Sequence, residues 1–463
     1  MNLNGIRKDG IRKDKKGWVY VSVSGSPRKR GYDYALLVSQ DMKKIKKIIS
    51  FYVLNEYNKT WNYFVAKCKD LFTPIIKKHF PEFYEEMVGF ANGCEMKKID
   101  FTLDDVITWN NFITITEYWF PHIQSSKYKN KDRCSAFMAV GKQWTNDGKI
   151  VMAHNTFSEF LDGQLCNYVL DIQPEQGNRI LMTTFPGWIW SGTDFFVTSS
   201  GIMGTETTIG NFKKYRHEFP ISCRIRKAMQ YAKTLDDYTN ILLEGNSGDY
   251  ANSWLIGNIK TNEIMRLELG LDYHHVEKTK NGYFIGFNGV YDTRIRFKEC
   301  DKDTGFDDIQ SGRGARRKRL DDLMNSYKGK INVSIAKKII SDHYDSFLEK
   351  HVKSSRTICG HYEEDDSEHS NSLNHKFKPF QPRGAVDGSV CDSNMAFNMS
   401  FLARWGNSCG TPFIAKTFCK VHPEWKHLRP YLLDRHKQPW IMFNSIFNAE
   451  KNKTRKKQKN EFR

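Results

Sequence analysis

A chain of 463 residues is about three times the usual single-domain length, which leaves one large core or up to three domains open. An apolar fraction of 39% and an aromatic fraction of 14% exclude a disordered or low-complexity protein. The net charge of +18 would point to nucleic acid or an anionic surface, but two thirds of the excess sits at the two ends, at +7 in residues 1–31 and +5 in 449–463. Residues 1–31 and 441–463 are therefore expected to be solvated basic tails, able to touch anionic surfaces without specificity.

Residues 32–133 read as mainly helical. Apolar residues recur at helical spacing from Tyr32 to about Leu54 and from Trp61 to about Phe80, with a break at Pro74. Pro81 suits a first helical turn, and Thr102 is placed to cap LDDVITWNNFITI. SSKYKNKDR, ending at Arg133, reads as an exposed loop. From Cys134 the pattern changes: CSAFMAVG and KIVMAHNT are apolar runs joined by the turn TNDG, and NYVLDIQ, RILMTTF and DFFVTSSGIMGTETTI continue as strands. Two helices follow, Ser222–Lys233 and Leu235–Glu244. SWLIGNI and EIMRLELGL then flank KTNE, and YHHVEKT and YFIGFN flank KNG, which predicts two more hairpins. Ala315–Tyr327 and Val333–Tyr344 return to helix. The order predicts a layered α+β fold with helices on both faces of antiparallel sheets, residues 134–440 forming its main region.

The chain has no run near the ~18 apolar residues of a membrane span, and its start, MNLNGIRKDGIRKDKKGW, has no apolar core. Neither a transmembrane helix nor a secretory signal is expected. The ten cysteines include no CxxC pair and are taken as reduced. The expected setting is cytoplasmic or virion-like, and a glycan at Asn58 or Asn398, both in N-x-[ST] sequons, would contradict it. DHYD at 342–345, His274-His275 and CGH at 359–361 hold ligand-type residues without the paired spacing of a zinc site, so neither metal nor cofactor is expected.

Cys134 opens an apolar strand directly after a charged loop. If the Arg133–Cys134 bond were cut, one residue would carry a thiol and a free α-amine with ordinary pKa values near ~8.5 and ~8, so the amine could take the thiol proton itself. The segment CSAFMAVGKQWTNDGKIVMAHNTF, residues 134–157, resembles the phospholipase B-like family and the related acyl-CoA:isopenicillin-N acyltransferase family. The resemblance continues through PGWIWSGTDFFVTSSGIMGTETTIGNF at 186–212, GNSGDYANSWLIGN at 245–258, GYFIGFN at 282–288, RTICGH at 356–361 and PRGAVDGSV at 382–390.

This resemblance implies an N-terminal nucleophile hydrolase with a four-layer αββα sandwich and a helical N-terminal segment, cut by itself between Arg133 and Cys134. It makes Cys134 the nucleophile. It places His154 beside Cys134, to tune it, to bond substrate or merely to bond a carbonyl, and makes Asn252 the oxyanion donor or else a strand cap. Asp194, Thr207 and Thr208 fall in blocks resembling the pocket wall, and Arg316 or Arg317 corresponds to a supporting arginine. The implied activity is opening of a small acyl or lipid amide or ester, with the cleaved fragments remaining associated. The same thioester would serve an acyltransferase. A catalytically inactive αββα protein holding anionic partners through its tails is the reading from another class.

Overall fold

The computed structural model describes residues 10–124, 133–301, 305–366, 371–372, 375–376 and 379–447. It opens with a hairpin, β1 (Ile11–Lys15) and β2 (Trp18–Gly25). In β2 the residues Trp18, Val19, Tyr20, Val21 and Val23 are buried, and Pro27 then starts a 31-residue helix at a position where a missing N–H costs nothing. Residues 10–31 therefore fold where a solvated tail was expected, because the apolar content of WVYVSVSG outweighs the surrounding charge. At the other end Ile441–Asn444 is a strand, while residues 1–9 and 448–463 lie outside the described residues, as does the expected loop at 125–132.

The helical segment comprises α1 (Pro27–Tyr57), α2 (Trp61–Leu71), α3 (Thr73–His79), α4 (Pro81–Met96), α5 (Leu103–Asn110) and α6 (Phe120–Ile123). Thr102 caps α5 as expected: its hydroxyl accepts from the Asp105 N–H, and the Asp105 carboxylate accepts from the Thr102 N–H. Helices α1 and α4 pack so closely that a Cβ on Gly31 would lie 1.9 Å from the Glu86 carbonyl oxygen and one on Gly89 2.0 Å from that of Arg28.

The strands that follow are β3 (Cys134–Val140), β4 (Val151–Glu159), β5 (Tyr168–Pro174), β6 (Ile180–Thr184), β7 (Phe195–Thr198), β8 (Ile202–Thr208), β9 (Asn252–Asn258), β10 (Glu263–Leu269), β11 (His274–Thr279) and β12 (Gly282–Gly286). Further along come two-residue pairs, β13 (Tyr344–Asp345) with β14 (Lys350–His351) and β15 (Asn371–Ser372) with β16 (His375–Lys376), then β17 (Arg383–Asp392), β18 (Ser400–Trp405) and β19 (Ile441–Asn444). A nine-stranded sheet runs β1-β2-β5-β6-β7-β8-β9-β10-β11 and a six-stranded sheet β12-β3-β4-β17-β18-β19. All these pairs are antiparallel except β2 with β5. The other helices include α7 (Phe160–Gly163), α8 (Ile221–Tyr231), α9 (Leu235–Leu243), α10 (Gly312–Ser326) and α11 (Val333–Ile340).

Strands β3 and β4 lie against β8, α1 and α9 pack on the larger sheet at β2 and β9, and α10 and α11 pack on the smaller one at β12, β4 and β17. The apolar run CSAFMAV follows from burial on both faces: Ala136, Met138 and Val140 join the core shared with the larger sheet, and Phe137 and Ala139 join the one under α10 and α11. One predicted hairpin is not one. Strand β11 pairs with β10 in the larger sheet and β12 with β3 in the smaller, so residues 280–281 carry the chain between sheets. The Asn-Gly signal marks a sharp reversal, but β11 is an exposed edge while Phe284 and Ile285 of β12 need burial. Among the described residues no helix is long and apolar enough to cross a membrane.

Candidate active site

Cys134 is buried at the first position of β3, in register with Thr156 of β4. The peptide bond before it is held at both ends. The N–H groups of Arg133 and Cys134 donate to Asn288 Oδ1 at 3.0 and 3.1 Å, and the Arg133 carbonyl oxygen accepts from the Phe157 N–H. The buried Arg316 guanidinium donates to the Cys134 carbonyl oxygen, to Ser135 Oγ at 3.2 Å and to Asn288 Oδ1 at 3.0 Å. Asn288 Nδ2 in turn donates to the Thr208 carbonyl oxygen at 2.8 Å, tying this end of β3 to the facing sheet.

The thiol meets two carboxyl groups. Cys134 Sγ and one oxygen each of Asp194 and Glu206 lie within 4.8 Å of one another. The Tyr250 hydroxyl donates to Asp194 Oδ2 at 2.5 Å and reaches Glu206 Oε1 at 3.0 Å. Burial, and then the charge of Asp194, holds Glu206 well above the usual carboxylate range, whereas burial raises Asp194 only to about 6 against the opposing hydrogen bonds of Glu206 and Tyr250. The pair therefore keeps one proton at neutral pH. Burial, with the nearby Glu206 and Asp194, also pushes the Cys134 thiol well up, so the sulfur is protonated in the intact chain. Asp194, Tyr250 and Asn288 have φ of 57°, 54° and 66°. Three non-glycine residues held in the left-handed region, at about 1–3 kcal/mol each, mark a site that its surroundings over-determine.

A cavity of about 20 Å³, room for one water molecule, adjoins Cys134. Its walls are aromatic, from Trp109, Phe112, Phe185 and Trp188, with Asp194 and Tyr250 at one side. Arg133 also lines it and is ion-paired with Glu117, so the residue ahead of Cys134 occupies the space beside its thiol.

Of the residues singled out in the sequence, Arg133, Cys134 and Asp194 meet at this cavity, and Arg316 grips Cys134 from α10. Arg317 turns away, to the Phe306 carbonyl oxygen and Asp307. His154 lies opposite Ala136, two register pairs from Cys134, with Nδ1 3.5 Å from Thr156 Oγ1; burial lowers it to about 3, so its ring is neutral. It is not among the cavity-lining residues. Asn252 pairs with Thr208, on the same sheet face as Glu206 and two pairs along, and neither atom of its buried amide has a partner among the described residues. The Thr207 and Thr208 hydroxyls are likewise unpartnered, and Thr207 lies against Gly286. Glu206, Tyr250 and Asn288 lie in the segments 186–212, 245–258 and 282–288, but nothing in the sequence singles them out. They come from three separate strand ends, and no spacing announces their meeting.

Residues 82–277 match the Phospholipase B family. Over this span the chain is similar to phospholipase B-like proteins. The matched span contains Cys134, His154, Asp194, Glu206, Tyr250 and Asn252, and ends before Asn288 and Arg316. A phospholipase B-like 2 protein of Bos taurus is 33% identical over 207 residues, 40% of this chain and 33% of that protein. That of Rattus norvegicus is 30% identical over 144 residues, 27% of this chain and 24% of that protein. The chain thus spans a quarter to a third of the length of these phospholipase B-like relatives. A conjugated bile acid hydrolase variant from Clostridium perfringens is 10% identical, with a TM-score of 0.28, over 60% of this chain and 83% of that one.

Proposed function

We propose that the chain is an N-terminal nucleophile hydrolase of the four-layer αββα type, activated by its own cut between Arg133 and Cys134, that opens an acyl amide or ester. One observation carries this reading. The bond before Cys134 is fixed by Asn288, Phe157 and Arg316 while the thiol faces a carboxyl pair that holds one proton.

Before the cut no α-amine exists, so the first base must be another group, and Asp194 is suitably placed. Cys134 Sγ attacks the Arg133 carbonyl carbon as its proton passes to Asp194. The charge that develops on the Arg133 oxygen meets the Phe157 N–H. The C–N bond then breaks, and the departing nitrogen takes a proton back from the pair to become the Cys134 α-amine. Water hydrolyses the resulting thioester to the Arg133 carboxylate and the free thiol.

In the mature enzyme the α-amine, still beside Asn288 Oδ1, takes the thiol proton. The thiolate attacks the substrate carbonyl, and the oxyanion accepts from the Asn252 amide, whose donors are unspent. The amine's extra proton goes to the leaving amine or alcohol, and water resolves the thioester. Once Arg133 is a chain end it can leave the cavity, and the aromatic walls then suit the acyl chain of a phospholipid or an N-acyl amide. An amine intercepting the thioester would make the same site an acyltransferase.

The test is the cut itself. Wild-type protein should resolve on a denaturing gel into fragments of about 16 and 38 kDa, the shares of residues 1–133 and 134–463 in a 54.1 kDa chain, and Cys134→Ala should stay whole. A large fragment whose sequenced N-terminus is not Cys134 overturns the mechanism.

A further inference from the structure

Outside the span that matches the family, four cysteine and histidine side chains converge on one point. His343 follows α11, Cys359 and His361 lie in the loop before β15, and Cys409 follows β18. Their donor atoms all lie within 4.8 Å of one another. We infer that His343, Cys359, His361 and Cys409 form a structural site for a zinc ion, independent of the proposed chemistry at Cys134.

Two of the distances match those of a tetrahedron. With Zn–N near ~2.05 Å and Zn–S near ~2.3 Å, two nitrogens on zinc stand about 3.3 Å apart and a nitrogen and a sulfur about 3.6 Å. His343 Nε2 lies 3.2 Å from His361 Nε2, and Cys409 Sγ lies 3.6 Å from the same nitrogen.

Ordinary hydrogen bonding accounts for this arrangement less well. Glu363 Oε1 lies 2.9 Å from His361 Nδ1 and takes its N–H, so the other ring nitrogen presents a lone pair to the cluster. The Cys409 thiol has Asn407 Oδ1 at 3.1 Å as another acceptor, but such pairwise bonds do not require four donor atoms to converge, whereas one cation accepts electron pairs from all four residues. The carboxylate behind the imidazole is also the usual outer support of a histidine ligand. At Cys409 the Thr411 N–H points at the sulfur from 3.4 Å, a donor that favours a thiolate.

Two imidazoles and two thiolates select a borderline-soft, tetrahedral ion, and four protein ligands leave no open position for a substrate. Cys359 and His361 are fully buried, so the ion would sit inside the fold. Its place suggests what it secures. Asn155 of β4 points to the face opposite Thr156, where Nδ2 donates to the Ile340 and Ile358 carbonyl oxygens at 2.7 and 2.9 Å and Oδ1 accepts from Ser408. The three segments that supply the ligands are thus the ones packed on the back of the strand whose front faces the nucleophile.

The test is elemental analysis of full-length protein dialysed with zinc chloride and then freed of excess metal. Wild type and Cys134→Ala should each hold about one zinc per chain, and Cys359→Ser and Cys409→Ser should each lose at least ~tenfold in occupancy. Because either serine variant could fail to fold, wild type is also reconstituted with cobalt(II), which should give the visible bands of a tetrahedral thiolate complex. Wild type that retains no zinc, a Cys359–Cys409 disulfide found by peptide mapping, or zinc retained in both serine variants would overturn the site.

Discussion

Burial holds the Cys134 thiol protonated in the intact chain, so the rate of the proposed cut depends on a neighbour that can take the proton. Asp194, raised to about 6 by burial, is a carboxylate above that pH and an acid below it. Self-cleavage followed on gels should therefore slow as pH falls through about 6, and Asp194→Asn should slow it at every pH and remove the step. An unchanged profile in Asp194→Asn would assign the base elsewhere. Asn252 calls for the opposite pattern. Its amide has no partner to lose among the described residues, so Asn252→Ala should scarcely move the thermal midpoint of the mature protein. Turnover on an acyl substrate should nevertheless fall about a hundredfold, the usual effect of removing one oxyanion donor. Cleaved Asn252→Ala with wild-type turnover would leave YANSW a structural likeness only.

Three helices meet at one buried carboxylate. Glu86 of α4 accepts from Arg30 of α1 at 2.6 Å and from Arg226 of α8 at 3.2 and 3.0 Å. All three side chains are buried, so Glu86→Ala would leave Arg226 without its carboxylate and Arg30 with Glu82 alone, and should cost about 3–5 kcal/mol in denaturant unfolding. Gly89→Ala drives a methyl into the Arg28 carbonyl and should cost about 1–3 kcal/mol by forcing α1 and α4 apart. Equal midpoints for either variant and wild type would mean that this junction relaxes freely. The elements themselves were largely legible: the β3–β4 hairpin, the Thr102 cap and the break near Pro74 follow from alternation, capping chemistry and a missing N–H. Pairings between distant strands were not. Nothing local says that β2 lies parallel to β5 or that β12 leaves β11 for β3, because partner choice is decided by which apolar faces still need cover. The same limit hid the site's second half. Cys134 is singled out by the resemblance of residues 134–157 to a known family together with its place after a charged loop, but Glu206, Tyr250 and Asn288 come beside it only when two sheets face each other. CGH at 359–361 likewise shows its fourth partner, Cys409, only in the fold.

Across the whole molecule, the proposed cut divides the chain without dividing the structure. Residues before Cys134 supply β1 and β2 to the nine-stranded sheet, and β2 pairs with β5 over seven residues, from Val19 with Tyr168 to Gly25 with Pro174. Side chains continue the seam. Trp109 Nε1 donates to the Pro186 carbonyl oxygen at 2.8 Å, Asn110 bonds Gly187 at 3.0 Å and Ile189 at 2.9 Å, and Thr114 donates to Asp249 at 2.6 Å. Glu86 and Arg226 face each other across the same boundary. Departure of the first fragment would bare the β5 edge and the aromatic faces of Trp109, Phe185 and Trp188, which meet across the cut. At about 25 cal/mol per Å² and ~150 Å² for a buried aromatic, each such ring represents up to ~4 kcal/mol, before the lost sheet pairing is counted. The fragments should accordingly co-elute on gel filtration without denaturant and separate only when unfolded. A small fragment running free in native buffer would mean that residues 1–133 are a propeptide, and that the wall of the cavity they provide is absent from the working enzyme.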